Sequence, residues 1–137
     1  MAFSITYEKP APAVLLPQGH VCKARVDKAE FGFSQAGNEM ATLNVHLLDE
    51  KGETVRVNKE YLVSGEKSAW KVSEFLASTG LASEEGAQVE LNEETLVGAV
   101  GTVRVTRETY VDTSGSETEV NRIGKWLPPK EVDGVPY

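Results

Sequence analysis

The fold is decided by residues 54–80, which read TVRVNKEYLVSGEKSAWKVSEFLASTG. In the first part of this stretch apolar and polar side chains alternate, which predicts a strand over 54–63. The alternation predicts that Val55 points inward, together with Val57, and that Arg56 points outward with Asn58. The period then changes from two to about 3.6, so the strand leads directly into a helix.

The helix is predicted over 66–79, where apolar residues recur every three or four positions. Ser64 is a candidate cap at its start, and Gly80 fits the left-handed position that ends many helices. Trp70 and Phe75 lie on or beside the apolar stripe. Both are therefore predicted to belong to the core.

Period-two patterns predict four more strands, separated by loops at 32–38 and 112–116 and by a turn at 49–52. The acidic segment 82–95 holds at most one short turn, near residues 92–96. The further strands are predicted at 19–31, 41–47, 99–111 and 117–127.

The resulting order is β-β-β-α-β-β, with one helix between strands three and four. A sandwich needs about seven strands, and a split βαβ fold needs two helices. The order is typical of the OB-fold, a five-stranded Greek-key barrel. We therefore expect a mainly β, OB-fold-like barrel.

The chain is expected to form one domain with two extensions. Residues 1–18 are rich in proline and predict an extended arm, which apolar side chains would pin to the domain surface. The domain itself covers 19–127. Two prolines end the last strand, so 128–137 form a short tail. The candidate pinning residues are Phe3, Ile5, Leu15 and Leu16.

Composition and charge exclude several classes of protein. The 137 residues are 40% apolar and 26% charged, as in an ordinary globular domain. The net charge of −7 excludes a histone-like basic protein but permits a local basic face. Residues 64–99 hold 2 basic and 7 acidic residues, so the acidity is concentrated around the helix and the segment after it.

A cytoplasmic protein without enzymatic activity is expected. Cys22 is the single cysteine, so no disulfide forms within the chain, and its alternating context predicts a small buried hydrophobic residue. No segment has the pattern of a signal peptide or the roughly 20 apolar residues that span a membrane. His20 and His46 lack partners at metal-ligand spacing, and no phosphate loop or nucleophile motif is present, so neither a metal nor a cofactor is expected.

Cations and aromatic side chains on the strands indicate a surface that binds nucleic acid. The cations Lys23, Arg25, Arg56 and Arg104 would contact phosphates. The aromatic residues Phe31, Phe33, Tyr61, Tyr110 and Trp126 would stack bases between the two loops that flank an OB-fold cleft. Two alternatives remain open: the cations are solvated strand positions scattered around a barrel, and Trp126 closes that barrel.

Several short motifs are distributed across residues 15–127: Leu15-Leu16-Pro17-Gln18-Gly19-His20-Val21, Gly37-Asn38-Glu39-Met40, Trp70…Phe75-Leu76…Gly80-Leu81, Leu96-Val97-Gly98 and Asn121-Arg122-Ile123. Together they resemble a family of small phage-encoded proteins long catalogued as a domain of unknown function. The chain departs from the family at His20-Val21, where an aromatic residue is usual. That family resembles OB-fold single-stranded-DNA-binding proteins of phage replication and recombination, and the resemblance implies the same role here.

The C-terminal residues suggest a site for protein partners. The end of the chain looks like a sparse version of the acidic tip of bacterial single-stranded-DNA-binding proteins. Asp133, Pro136 and Tyr137 would then dock replication or recombination proteins, since an aromatic anchor beside acidic groups suits a small basic pocket. The alternative is a tail that binds nothing.

A different class of function is also open. The acidic segment 64–99 would suit a protein-binding barrel, either a phage assembly factor or a DNA-mimicking inhibitor of a host DNA-processing enzyme. The sequence does not choose between DNA and RNA as the ligand. It also leaves the oligomeric state open, because no interface can be identified from the pattern.

Overall fold

The computed structural model describes residues 2–7, 12–82, 86 and 88–128. Within these residues the strands are β1 (Val21–Phe33), β2 (Glu39–Leu48), β3 (Thr54–Val63), β4 (Val100–Val111) and β5 (Glu117–Leu127). A 3₁₀ turn (Glu66–Ser68) leads into helix α1 (Ala69–Thr79), and a short helix α2 (Glu93–Leu96) precedes β4. The strands form one antiparallel sheet in the order β3-β2-β1-β4-β5. The predicted mainly β fold with a helix between strands three and four is confirmed.

The ends of α1 follow from local chemistry. Gly80 ends α1 in the left-handed conformation at φ 76°, as predicted. The start differs from the prediction, because Gly65 precedes the 3₁₀ turn and Ser64 does not cap it. None of the helices in the described ranges has the length and apolar character that crossing a bilayer requires.

The core lies between the inner face of the sheet and α1. Phe75 of α1 and Trp126 of β5 meet edge to face, with ring centroids 4.8 Å apart and planes at 86°. Gly101 of β4 lets the Trp126 ring and α1 lie close to its backbone, because a Cβ atom there would be 3.0 Å from Trp126 Cε3 and 2.7 Å from Ser78 Oγ. Besides Trp126 and Leu127 of β5, three other strands contribute fully buried residues: Ala24, Val26, Leu43, Val45, Leu47, Val103 and Val105.

The two edge strands, β3 and β5, approach each other without backbone pairing among the described residues. Asn58 Nδ2 donates to the backbone oxygen of Asn121 at 2.8 Å, and Trp126 Nε1 donates to Glu60 Oε2 at 3.1 Å. Lys71 Nζ of α1 lies 2.5 Å from Glu60 Oε1. We call these residues the β3–β5 seam; each of these bridges uses at least one polar side chain.

An irregularity in β3 changes which side chains face inward. The pairing between β2 and β3 skips Val55, so Leu47 pairs with Arg56 and the alternation moves by one residue. Leu47 is buried, and directly paired residues share a face, so Arg56 faces inward. The prediction that Arg56 and Asn58 point outward and Val57 inward is therefore wrong.

The proline-rich arm is anchored to the sheet by its second half. Val14 N donates to Val55 O at 2.9 Å, and Ala13 forms an isolated β-bridge with Arg56. Leu16 is buried, and its backbone N–H and C=O both bond the side chain of Asn121. These contacts carry the chain from the β3 edge across to β5.

Candidate nucleic-acid interface

The outer face of β1, β2 and β3 combines cations, amides and one exposed tyrosine. Cross-strand pairing sets these side chains in rows, because paired residues project on the same side of a sheet. Three consecutive rows are Arg25–His46–Val57, Lys28–Asn44–Lys59 and Glu30–Thr42–Tyr61. We call this surface the outer face.

Two acids on β1 neutralise part of the outer face. Arg25 lies 3.6 Å from Asp27, whose carboxylate is also 3.4 Å from His46 Nε2. Lys28 lies 3.1 Å from Glu30. Lys23 is exposed, as predicted for a phosphate contact, and it precedes this acidic stretch. The two acids therefore offset the cations in the middle of β1 and leave Lys23, at its beginning, without a carboxylate within ion-pair distance among the described residues.

At the β3 side, the outer face borders a cleft of about 290 Å³ between β3 and β5. Lys59 and Tyr61 line it from β3, Lys71 from α1, and Arg122 from β5. Arg122 also pairs with Glu108 of β4. Lys59 has no ion-pair partner within the described residues. Three elements thus bring cations around one tyrosine, and we call this the β3–β5 cleft.

Lys59, Lys71 and Arg122 were missed as site residues by the sequence reasoning. Their positions in the chain are far apart, and only the approach of the two edge strands brings them together. One local signal was present: Lys59 precedes Tyr61 by two residues, a spacing that puts both on the same face of a strand.

Arg56 was predicted to contact phosphate, but its guanidinium bonds other groups of the protein. Its Nε donates to Asn58 Oδ1 at 3.0 Å, and its Nη1 donates to the backbone oxygen of Val14 at 3.3 Å. The guanidinium therefore holds the arm against the beginning of β3. This corrects its assignment to a basic outer surface with Lys23 and Arg25.

The aromatic candidates at the first hairpin are exposed. Phe33 is 71% exposed and Phe31 52% exposed. Phe33 was predicted to lie in the loop after β1, but it is the last residue of that strand. Phe31 pairs with the buried Ala41, so its side chain lies on the inner side of the sheet beyond the core. Tyr61, 45% exposed, is the aromatic residue on the outer face itself.

Arg104 and Tyr110 lie towards the other end of the sheet. Val21 at the start of β1 pairs with Arg104, and the two strands run antiparallel, so the two hairpin tips point in opposite directions. Tyr110 is 49% exposed near the β4–β5 tip. The hydroxyl of Ser114, followed by backbone N–H groups of the turn, lowers the pKa of Asp112 and fixes that tip.

Both tryptophans differ from a predicted role, Trp126 as a stacking residue and Trp70 as a core residue. Trp126 is 1% exposed and bonds Glu60 across the seam, which removes it from the predicted stacking surface. Trp70, predicted as core, is 61% exposed. The spacing held a signal for this, since Trp70 and the buried Phe75 are five residues apart, roughly 140° around a helix.

The tail residues Asp133, Pro136 and Tyr137 lie outside the described residues. No family model matches this sequence, and no curated protein matches it.

Proposed function

We propose that this chain binds single-stranded DNA with little sequence preference and without enzymatic activity. One observation carries the proposal: Lys59 and Tyr61 share the outer face next to a cleft to which Lys71 and Arg122 also contribute. Cations that follow the phosphate backbone, with an aromatic ring on which bases stack, are the combination that single-strand binding requires.

We also propose that the sheet is an OB-fold barrel left open between β3 and β5. The order β3-β2-β1-β4-β5, with a helix after β3, is the order obtained when such a barrel is opened at that point. The side-chain bridges of the seam support this interpretation. The phage-like motifs of the sequence extend the proposal to a cytoplasmic role in phage replication or recombination.

The exposed ring of Tyr61 and the negative net charge of the chain favour a single strand over a duplex. A single strand presents its base faces to Tyr61, and each stacked base contributes about 1–3 kcal/mol. A duplex keeps its bases stacked internally and offers only phosphates to a protein whose net charge is −7. Affinity is expected to fall as salt rises, because bound cations release the counterions of the DNA.

The test is fluorescence anisotropy with a labelled oligo-dT of about 30 nucleotides, longer than the site of one OB-fold. Wild-type protein is titrated at low and moderate salt, with a matching duplex beside it. We expect Tyr61→Ser to weaken single-strand binding by roughly five- to a hundredfold. Lys59→Gln should reduce the slope of log affinity against log salt concentration by the amount of about one phosphate contact.

Lys51→Gln is the matched control, because it removes the same charge from the turn between β2 and β3. It should leave the affinity within about twofold of wild type, far below the loss of one stacked base. Absence of single-strand binding at low salt, or equal loss in Lys51→Gln and Lys59→Gln, would overturn the proposal or its site.

A further inference from the structure

The first half of the arm exposes three large apolar side chains. Phe3, Ile5 and Tyr7 are 88%, 80% and 83% exposed. They alternate with Ser4 and Thr6, so an extended segment carries them all on one side. The prediction that Phe3 and Ile5 pin the arm to its own domain is wrong; the anchoring is done by the buried Leu16.

An apolar cleft of about 450 Å³ opens at the end of the sheet where β1 begins. Its lining includes Leu16, Val21, Cys22, Leu48 and Val55. Its apolar character also affects the thiol it contains, because burial raises the pKa of Cys22 from 9.0 to about 11. We call it the basal cleft.

The arm leaves the sheet beside this cleft. Val14 bonds the backbone of Val55, and Val55 also lines the basal cleft. The apolar residues before this anchor stay exposed on their own domain, and the basal cleft stays open. Each protomer therefore presents an unburied apolar segment and an apolar cleft, and the anchor of the arm lies beside that cleft.

We propose that residues 3–7 of one copy of this chain insert their apolar side into the basal cleft of a second copy. The exchange is reciprocal, since a two-fold axis beside the mouths of the two clefts brings each arm to the other domain. Ser4 and Thr6 then face solvent, and Phe3, Ile5 and Tyr7 are covered. The exchange depends on the apolar lining of the basal cleft and not on the β3–β5 cleft, although Lys23 borders the basal cleft as well.

The first test measures the oligomeric state by analytical ultracentrifugation across a range of concentrations. We expect a dimer whose dissociation constant rises roughly a hundred- to ten-thousandfold for Phe3→Ser or for Ile5→Ser, because each substitution removes a buried side chain from both arms, at about ten- to a hundredfold apiece. The matched control, Ser4→Ala with Thr6→Ala, alters the opposite side of the same segment and should leave the dimer intact. A wild-type monomer at the highest soluble concentration, or equal effects of both sets, would overturn the proposal.

The second test locates the arm. Ile5→Cys and Glu50→Cys, in a chain that also carries Cys22→Ser, place one thiol in the inserted segment and one at an exposed position that lines the basal cleft, and a short bismaleimide joins them between neighbouring copies. A linked dimer on a denaturing gel, lost when Glu50 is left unchanged, supports the exchange. A crosslink within one chain means that the arm fills its own cleft, and a dimer that never links through position 50 means that another surface forms it. Either result overturns the proposal.

Discussion

The apolar core and the β3–β5 seam hold the same sheet together by different means. In the core, pairing between strands satisfies the backbone N–H and C=O groups. The side chains on the inner face of the sheet can therefore be apolar and fully buried, as at Leu43 and Val45. In the seam two strand edges meet without backbone pairing in the described residues, and polar side chains bridge them. An edge that is neither paired nor solvated needs such partners.

The two regions also differ in what they contribute. A fully buried apolar side chain stabilises a fold by about 1.5–3 kcal/mol, whereas a net hydrogen bond contributes about 0.5–1.5 kcal/mol. The core therefore supplies most of the stability. The seam fixes how the edges meet, and so it positions Lys59, Lys71 and Arg122 around the β3–β5 cleft.

The largest loss of stability is expected from the core. Phe75→Ala removes a fully buried ring and its edge-to-face contact with Trp126, so the free energy of unfolding should fall by about 3–5 kcal/mol. Urea unfolding followed by circular dichroism measures this. A loss near that of an exposed substitution, about 0.5 kcal/mol, would contradict the assignment of Phe75 to the core.

The buried bridge of the seam is the hydrogen bond between Glu60 and Trp126, and substitution of Glu60 tests it. Glu60→Leu leaves the buried indole N–H of Trp126 without an acceptor, so we expect a loss of about 1–3 kcal/mol in the free energy of unfolding. Glu60→Gln keeps an acceptor and should lose less. Urea unfolding of both variants separates the hydrogen bond from side-chain volume. Equal losses would show that the bond to Trp126 contributes nothing measurable.

The same contrast explains what the sequence could predict. Alternation located β3 and β5 at the observed residues, Thr54–Val63 and Glu117–Leu127, because paired strands over an apolar core produce a regular pattern. It failed for Arg56, because the bulge at Val55 depends on pairing with another strand. It also gave no sign that Glu60 is buried, since its partners come from α1 and β5.

The candidate site was predictable to the same limited extent. The outward position of Lys23 follows from local alternation and needed no tertiary information. That of Tyr61 does not, because the predicted alternation put Val55 and Val57 inward, and only the bulge at Val55 turns Tyr61 to the outer face. The contributions of Lys71 and Arg122 depend on two edges that approach only in the folded sheet. Side chains that bridge two strands distant in the sequence produce no periodic pattern. Sequence patterns can therefore identify the β3 wall of the cleft but not the walls formed by α1 and β5.

Asn58 tests the seam with a smaller change. Asn58→Ala removes the hydrogen bond to Asn121 O and an acceptor for Arg56, so a loss of about 0.5–1.5 kcal/mol per bond is expected. Asn44→Ala is the control: this half-buried asparagine of β2 makes no side-chain hydrogen bond to the described residues. Urea unfolding should place Asn58→Ala clearly below the control. If the two variants unfold alike, the seam does not depend on this bridge.

The smallest change in stability is expected from substitution of Trp70. Tryptophan fluorescence also distinguishes this exposed residue from Trp126 in the seam. The chain has two tryptophans, and Trp70 is 61% exposed while Trp126 is 1% exposed. Iodide should therefore quench about half of the emission, and Trp70→Phe should abolish the quenching while changing stability by no more than about 0.5 kcal/mol. Trp126→Phe should leave quenchable emission and lower stability, because it removes the bond to Glu60. Quenching that survives in Trp70→Phe would mean that the seam admits solvent to Trp126, and the seam would then be an open groove in solution.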